Sequence, residues 1–176
     1  MKFFYAVKQD LDFLKSRFNL NPVLAVFTNR GFHALLFYRV SNLLYKYRIP
    51  LLPLVFTRVV QIFYGIDIDY KCTVHGGVVI IHGVGTVIGS GAVVGSNVII
   101  YHGVTLGRKR QIAEITPDDG FPEVKSNCVL GAGAKLIGPI TIGENSIIGP
   151  NVVLMSDILP NSIVKVPSPI IKRILS

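Results

Sequence analysis

Cysteine is scarce in this sequence: Cys72 and Cys128 are the only two, and they lie 56 residues apart. Two cysteines at this distance form no paired metal-binding motif, and they cannot build a disulfide framework. We interpret both as buried free thiols, which suits a reducing cytoplasm. Collagen-like triplets and low-complexity tracts are lacking as well, and half of the residues are apolar. This composition excludes a disordered chain.

Long apolar runs are also lacking. Arg39, Lys46, Arg48 and Arg58 interrupt the most apolar stretches, so none reaches the roughly 18 clean residues of a membrane-spanning helix. The first residues are too few for the apolar core of a secretory signal, and no small-residue cleavage site follows them. We therefore expect a cytoplasmic protein, and a position at the inner face of the cytoplasmic membrane stays open.

Acidic residues are few, and the excess positive charge is unevenly placed. Residues 1–64 hold nine Lys or Arg against two Asp, a net charge of +7, whereas residues 65–176 hold nine against eight acids, a net charge of +1. A basic region can meet phosphate ligands, anionic lipid headgroups or nucleic acid. Because the chain has no stacking motif, we expect no nucleic-acid partner. A peripheral membrane contact through residues 1–64 remains an open expectation.

The chain changes character near Gly65. Before it, apolar residues between Leu35 and Tyr45 recur at intervals of three and four, which predicts helices. Asn21-Pro22 is typical of one helix start and Thr28-Asn29 of the next. We therefore expect a small α-helical cap over residues 1–64 and a second domain over residues 65–176.

After Gly65 the aliphatic residues recur every six positions. Two phased runs contain Ile88, Val94, Ile100 and Leu106, then Leu130, Leu136, Ile142, Ile148 and Leu154. Period six fits neither a helix face nor an alternating strand, and it is the signature of a hexapeptide β-helix. Three units make one triangular coil, and the inward aliphatics stack into a continuous core. The pattern predicts a mainly β protein, with a protruding loop at about 108–125 where the run is interrupted.

The four histidines occupy different places in this pattern. His33 falls among helical residues and His75 precedes a glycine pair, so we interpret both as structural. His82 lies six residues before Ile88. If the first coils are in phase, an imidazole takes a normally aliphatic position; the alternative is an insertion that moves His82 to a corner.

Two more residues, His102 and Asp67, join His82 as candidates. His102 follows Tyr101 one coil later. Asp67 stands where the coils begin, and an aspartate near a histidine can fix its tautomer and stabilise the imidazolium. The alternative for Asp67 is a solvated turn residue.

The segment from Gly65-Ile66-Asp67-Ile68 to His82-Gly83, followed by Val87-Ile88-Gly89 and Val104-Thr105-Leu106-Gly107, resembles the serine O-acetyltransferase family. That family has a histidine 15 residues after the Asp of its Asp-Ile pair, as Asp67 and His82 are here. The resemblance covers roughly residues 60–170. It implies a left-handed parallel β-helix, His82 as catalytic base with Asp67 as its partner, acetyl-CoA as cosubstrate and no metal.

The resemblance also implies an assembly and a binding cleft. Hexapeptide transferases of this kind are trimers, and the larger members of the family pair two trimers through long helical N-termini. In this family the pantetheine arm of CoA lies between neighbouring β-helices. The cleft wall expected here consists of Thr105, Gly107, Lys109, Gly131, Ala132, Gly133, Ala134 and Lys135. The acceptor is expected against Tyr101, His102 and Phe121. Because the helical region is short, we expect a single trimer rather than two paired ones.

Two departures from the family pattern bear on the acceptor. Ile81 stands where serine-binding members carry an Asp before the catalytic histidine, and Gly120-Phe121-Pro122 stands where they carry Arg-His-Pro. In serine-binding members of the family, those groups bind the ammonium and carboxylate of the amino acid. We therefore expect the acceptor to be a sugar hydroxyl of a bacterial surface polysaccharide, as in the subgroup that acetylates capsule and exopolysaccharide sugars. The alternative is a serine O-acetyltransferase of cysteine biosynthesis with altered acceptor contacts.

A different class of protein provides the last alternatives, a non-catalytic β-helix scaffold or a relative of the γ-class carbonic anhydrases. The metal site of such an enzyme needs three histidines placed across subunits. His75, His82 and His102 could supply the number, but their spacing does not match that family.

Overall fold

Four helices form the first part of the protein. The computed structural model describes residues 2–109 and 120–168, beginning with α1 (Lys2–Phe18), α2 (Pro22–Thr28), α3 (Arg30–Lys46) and α4 (Leu52–Tyr64). Asn21 and Asn29 cap α2 and α3, because each side chain accepts a backbone N–H of the first turn at 2.8 Å. Gly65 ends α4 with a φ of 64°, which a residue without Cβ adopts at little cost. The predicted N-terminal helical region is confirmed.

Fourteen short strands follow in the described part of the chain and form three parallel sheets. Sheet A contains β1 (Asp67–Ile68), β4 (Val87–Ile88), β7 (Thr105–Gly107), β10 (Lys135–Ile137) and β13 (Val153–Leu154). Sheet B contains β2 (Thr73–Val74), β5 (Val93–Val94), β8 (Glu123–Val124) and β11 (Thr141–Ile142). Sheet C contains β3 (Val79–Ile81), β6 (Ile99–Tyr101), β9 (Val129–Leu130), β12 (Ile147–Ile148) and β14 (Ile163–Val164). The chain visits A, B and C in turn, so each circuit is one coil and the predicted β-helix is confirmed.

The period-six aliphatic residues line the inside of these coils. On sheet A the inward column consists of Ile68, Ile88, Leu106, Leu136 and Leu154, which pair in register from strand to strand. All nine positions predicted from the period are buried. Burying one such side chain stabilises the fold by about 1.5–3 kcal/mol, and the stack repeats that gain in every coil.

A column of asparagines marks the turns between sheets B and C. Asn97, Asn127, Asn145 and Asn161 have φ angles of 58°, 61°, 58° and 59°. Each Nδ2 donates to the Oδ1 of the next asparagine, at 3.2, 3.2 and 3.1 Å. Asparagine tolerates this left-handed conformation better than most residues, so it can turn the chain and link neighbouring coils at once.

A buried ion pair attaches the helices to the first coil. Arg39 on α3 holds both carboxylate oxygens of Asp10 on α1, at 2.7 and 2.9 Å. The same guanidinium donates to the carbonyl oxygens of Val74 and His75. Asp10 in turn accepts the backbone N–H of Gly77 at 2.9 Å. Among the described residues, no helix combines the length and apolar character that crossing a membrane requires.

The turns that connect sheet C to sheet A form one edge of the β-helix. They consist of residues 82–86, 102–104, 131–134 and 149–152, and we call them the C–A edge. Most of the loop predicted at about 108–125 falls on residues 110–119, which lie outside the described residues.

Candidate active site

His82 begins the first turn of the C–A edge. It follows the last residue of β3, is exposed to solvent, and has a φ of 62°. Few non-glycine residues adopt this left-handed conformation, and histidine, like asparagine, tolerates it better than most. The backbone of the turn is closed by a bond from Val84 N to the His82 oxygen at 2.9 Å. The turn therefore presents the imidazole outward on a defined backbone.

Of the two positions that the sequence left open for His82, the structure does not show the inward one. Ile80 and Ile88 are the inward residues on either side of it, eight positions apart, whereas Ile100 and Leu106 in the next coil are six apart. Because Ile80 pairs with Ile100 and Ile88 with Leu106, the first turn holds two extra residues. This insertion moves His82 to the corner, which is the alternative that the sequence left open.

His102 lies directly beside His82 on the same edge. The two ring centroids are 6.2 Å apart in an edge-to-face arrangement, and both side chains are exposed. Tyr101 precedes His102, pairs in register with Ile81, and accepts the hydroxyl of Thr86 on its carbonyl oxygen at 3.3 Å. The structure thus brings together the two histidines that the sequence separated by a whole coil.

Asp67 is the first residue of β1 and is half-buried. Its backbone N–H donates to the Thr86 oxygen at 2.9 Å, and Gly85 N donates to the Gly65 oxygen at 2.8 Å. These two bonds tie the Asp67 strand to the turn that carries His82. Among the contacts of the described residues, no hydrogen bond joins the Asp67 carboxylate to His82. The carboxylate Oδ2 instead accepts the side-chain amide of Gln61 at 3.3 Å.

Thr105 and Lys135 extend the column that Asp67 begins on the outer face of sheet A. Asp67, Val87, Thr105 and Lys135 pair in register, each on the strand above the last. The Lys135 ammonium donates to the carbonyl oxygen of Gly103, next to His102. The outward face of sheet A therefore presents a threonine and a cation beside the histidines of the C–A edge.

Glycines leave the backbone of the C–A edge uncovered by side chains next to this face. A Cβ placed on Gly103 would lie 3.5 Å from the Cα of Gly133, so the backbones of successive coils stack with no side chain between them. Gly131 and Ala132 belong to the same turn and are half-buried. Ala134 does not line the surface as predicted, because it is fully buried and its methyl group points into the core.

Phe121 lies away from His82 within one chain. Its ring packs on Gly89 and Gly91, in the turn from sheet A to sheet B, where a Cβ would come within 2.4 Å of it. The Arg108 guanidinium stands 5.5 Å from the ring centre. Lys109 is exposed and follows Gly107 beyond the end of β7. One subunit therefore does not unite Phe121 with the histidine pair.

His75 lies on a third edge, after β2 in the turn from sheet B to sheet C. It is therefore separated from His82 and His102, which share the C–A edge. Within residues 2–109 and 120–168, no three His, Cys, Asp or Glu side chains form a group that could hold a metal ion.

Both cysteines are buried free thiols. Burial raises the pKa of the Cys72 thiol to about 12 and raises the pKa of Cys128 as well. A thiol with a raised pKa is a poor nucleophile, because the thiolate is the reactive form. Neither cysteine lies on the C–A edge, so the arrangement offers histidine chemistry rather than thiol chemistry.

Gln61 and Arg58 were missed by sequence reasoning. Both lie on α4, and the Arg58 guanidinium donates to the Gln61 side-chain oxygen at 2.5 Å. The available signal was their polarity in an otherwise apolar helix, at a spacing of three residues that puts both on one face. The sequence contains no sign that this face meets Asp67 beyond Gly65.

Comparison with known proteins identifies families and relatives to which this chain is similar. The family pattern described as "Bacterial transferase hexapeptide (six repeats)" matches residues 121–155, and "Hexapeptide repeat of succinyl-transferase" matches residues 83–111. A Helicobacter pylori serine acetyltransferase is 37% identical over 128 residues, covering 73% of this chain and 72% of the relative. A Synechococcus elongatus serine acetyltransferase is 37% identical over 81% of this chain.

Solved structures agree with these relatives. The crystal structure of Neisseria gonorrhoeae serine acetyltransferase in complex with serine superposes with a TM-score of 0.84 at 30% identity, covering 95% of this chain and 68% of that one. The repeats and coils define a hexapeptide-repeat transferase. Within that class, the chain belongs to the serine acetyltransferase family. It spans 57% of the length of the Synechococcus relative.

These comparisons correct the expected acceptor. The expected acceptor was a saccharide of a capsule or surface polysaccharide, but the relatives and structural neighbours described above are serine acetyltransferases. Ile81 and Phe121 carried that expectation, whereas the similarity to serine acetyltransferases extends over 73–81% of this chain. The alternative reading, a serine acetyltransferase with altered acceptor contacts, agrees with the relatives.

Proposed function

We propose that the protein transfers the acetyl group of acetyl-CoA to the side-chain hydroxyl of serine. The observation that carries this proposal is the 37% identity to a serine acetyltransferase of which the chain covers 72%. The exposed histidine pair on the C–A edge supports it, because a hydroxyl acceptor needs a base that it can reach from solvent.

His82 is the proposed general base. It takes the proton of the serine hydroxyl while that oxygen attacks the thioester carbonyl carbon of acetyl-CoA. The tetrahedral intermediate then collapses, the carbon–sulfur bond breaks, and the leaving sulfur takes the proton from the imidazolium. Asp67 offsets the positive charge that forms on the ring, and backbone N–H groups stabilise the oxyanion. Because both thiols are buried, neither can accept the acetyl group, and in this proposal it passes directly from acetyl-CoA to serine.

The outer face of sheet A is the proposed CoA site. The pantetheine arm lies along Thr105 and Lys135. It then passes the glycine-containing turns of the C–A edge, where the lack of side chains lets the arm approach the protein backbone closely. The wall residues in this proposal are Thr105, Gly107, Lys109, Gly131, Ala132, Gly133 and Lys135. Ala134 is left out because it is buried.

A homotrimer would complete the acceptor site. His102 and Tyr101 lie next to His82, and we assign them to serine. Phe121 lies on another edge of the same chain, so it reaches serine only if a neighbouring subunit supplies it. This separation supports sites shared between subunits.

Release of free CoA tests the proposal. The purified protein is incubated with acetyl-CoA and either L-serine or O-methylserine, which lacks the acceptor hydroxyl, and the new thiol is measured. We expect release with serine well above the rate without acceptor, and none above that rate with O-methylserine. No release with serine would refute the serine assignment.

A further inference from the structure

We propose that Gln61 is a positioning residue that holds Asp67 in place for His82. This inference rests on the proposed function, because it concerns the group that orients the proposed base. Gln61 lies in the last turn of α4, and its Nε2 donates to Asp67 Oδ2 at 3.3 Å. Both side chains are half-buried, so water only partly competes for this bond. Helix α4 thereby anchors the carboxylate of a strand that is only two residues long.

Arg58 sets which way the Gln61 amide faces. Its Nη1 donates to Gln61 Oε1 at 2.5 Å, and a guanidinium has donors only. The Gln61 oxygen must therefore point to Arg58, which leaves the amide nitrogen for Asp67. The two hydrogen bonds that link Arg58, Gln61 and Asp67 therefore run in the same direction, with each donor on the side of the cation and each acceptor on the side of the carboxylate.

The anchor acts on one carboxylate oxygen and leaves the other available. With Oδ2 held by Gln61, the carboxylate cannot rotate freely. No hydrogen bond from another described residue occupies Oδ1, so this oxygen is available for the imidazolium that forms on His82. An orienting group within an active site acts through geometry, and a displacement of about 1 Å can cost about 100-fold in rate. Gln61 does not touch the reacting atoms, so its effect passes through Asp67.

A purely structural role for the Gln61 side chain has little to support it. The end of α4 is closed by the backbone, because Gly65 N donates to the main-chain oxygen of Gln61 at 3.1 Å. The helix packs on α3 through other residues, and Pro53, Thr57 and Val60 are the buried ones of α4. The side-chain amide is therefore not required for the helix to end or to pack.

Two substitutions separate hydrogen bonding from shape. Gln61→Leu keeps the approximate volume and removes both polar atoms, whereas Gln61→Glu keeps the shape and the acceptor for Arg58 but loses the donor to Asp67. We expect both variants to lower kcat about 10-fold with serine, with the KM for acetyl-CoA unchanged. Gln9→Leu makes the same change at a half-buried position of α1 and serves as the control. Wild-type kcat in Gln61→Glu would overturn the inference.

A double-mutant cycle shows whether Gln61 acts through Asp67. In the Asp67→Asn background we expect Gln61→Leu to change kcat by less than about 2-fold, because the group it positions is already altered. An undiminished 10-fold loss in that background would overturn the inference, as would a gain of activity in either single variant. The proposed function fails separately, if wild-type protein releases no CoA with serine. Wild-type activity that His82→Ala abolishes and Gln61→Leu leaves unchanged would refute the positioning role alone.

Discussion

At the scale of single residues, His82 should dominate catalysis. His82→Ala removes the general base, and we expect the turnover number to fall by about 10²–10⁴. The fold should survive because His82 is exposed at a turn and none of the inward columns contains it. Steady-state kinetics with acetyl-CoA and serine measure the loss, and circular dichroism checks the fold.

The matched control for His82 is His75→Ala, on a different edge of the same coil. It should keep wild-type turnover. Asp67→Asn should lower the turnover number as much as His82→Ala or less, because the histidine remains but is poorly oriented. A fully active His82→Ala variant would contradict the assignment of the base.

The cysteines carry a second prediction at this scale. Burial raises the pKa of Cys72 to about 12 and also raises the pKa of Cys128, so both residues stay in the protonated thiol form near neutral pH. Native protein should therefore react with a disulfide reagent for thiols only very slowly, and both cysteines should react at once in denaturant. Fast labelling of the native protein would contradict the burial of these groups. The expected result also means that the protein's own thiols do not disturb the measurement of released CoA.

At the scale of secondary-structure elements, the Asp10–Arg39 pair joins α1 and α3 to the first coil. The two side chains are 1% and 6% exposed, so removing one leaves the other as an uncompensated buried charge. We expect Arg39→Met to lower the free energy of unfolding by about 3–5 kcal/mol. Equilibrium denaturation followed by circular dichroism measures this change.

The exposed pair of Lys8 and Asp12 on α1 provides the control, because their side chains are 74% and 59% exposed. Lys8→Met should change the free energy of unfolding by less than about 1 kcal/mol. The double variant Asp10→Leu, Arg39→Met should recover only part of the loss, since the N–H groups of Gly77 and Val78 then lack their acceptor. Equal effects of Arg39→Met and Lys8→Met would show that the buried pair does not fasten the helices.

At the scale of the whole molecule, large apolar side chains are exposed on the C–A edge and on the last turn of α4. Val84, Ile62 and Phe63 are 58%, 78% and 76% exposed, and a Cβ placed on Gly65, which ends α4, would lie 3.5 Å from Val84 Cγ1. Soluble monomers avoid large exposed apolar patches, and packing around a three-fold axis would bury this one. We therefore expect a homotrimer, with a mass by light scattering of three chains.

A charge on the edge tests whether assembly and activity are linked. Val84→Asp should break the trimer and lower CoA release together, whereas Leu159→Asp, an equally drastic change at an exposed turn between sheets B and C, should leave the trimer intact. A fully active monomer would contradict shared sites. A hexamer would contradict only the expectation that the short helical region does not pair two trimers.

The coil architecture was predictable because its signal is local and repeated. Nine aliphatic residues at period six predicted the inward columns, and the structure buries all nine. The phase of the first coil was not predictable, since two extra residues between Ile80 and Ile88 shift His82 to the corner without breaking the period elsewhere. Ala134 was misplaced because it is the last residue of its turn, directly before β10, and its side chain is already directed into the core.

The sequence by itself determined the fold and the candidate pair, because the hexapeptide period and the Asp67–His82 spacing are properties of the chain order. Only the tertiary structure decided which side chains meet. Stacking placed His102 6.2 Å from His82 although 20 residues separate them, and it placed Gln61 of α4 on Asp67. It also moved Phe121 to a separate edge. These contacts depend on where each coil turns, and a turn is set by packing against the neighbouring coils rather than by its own few residues.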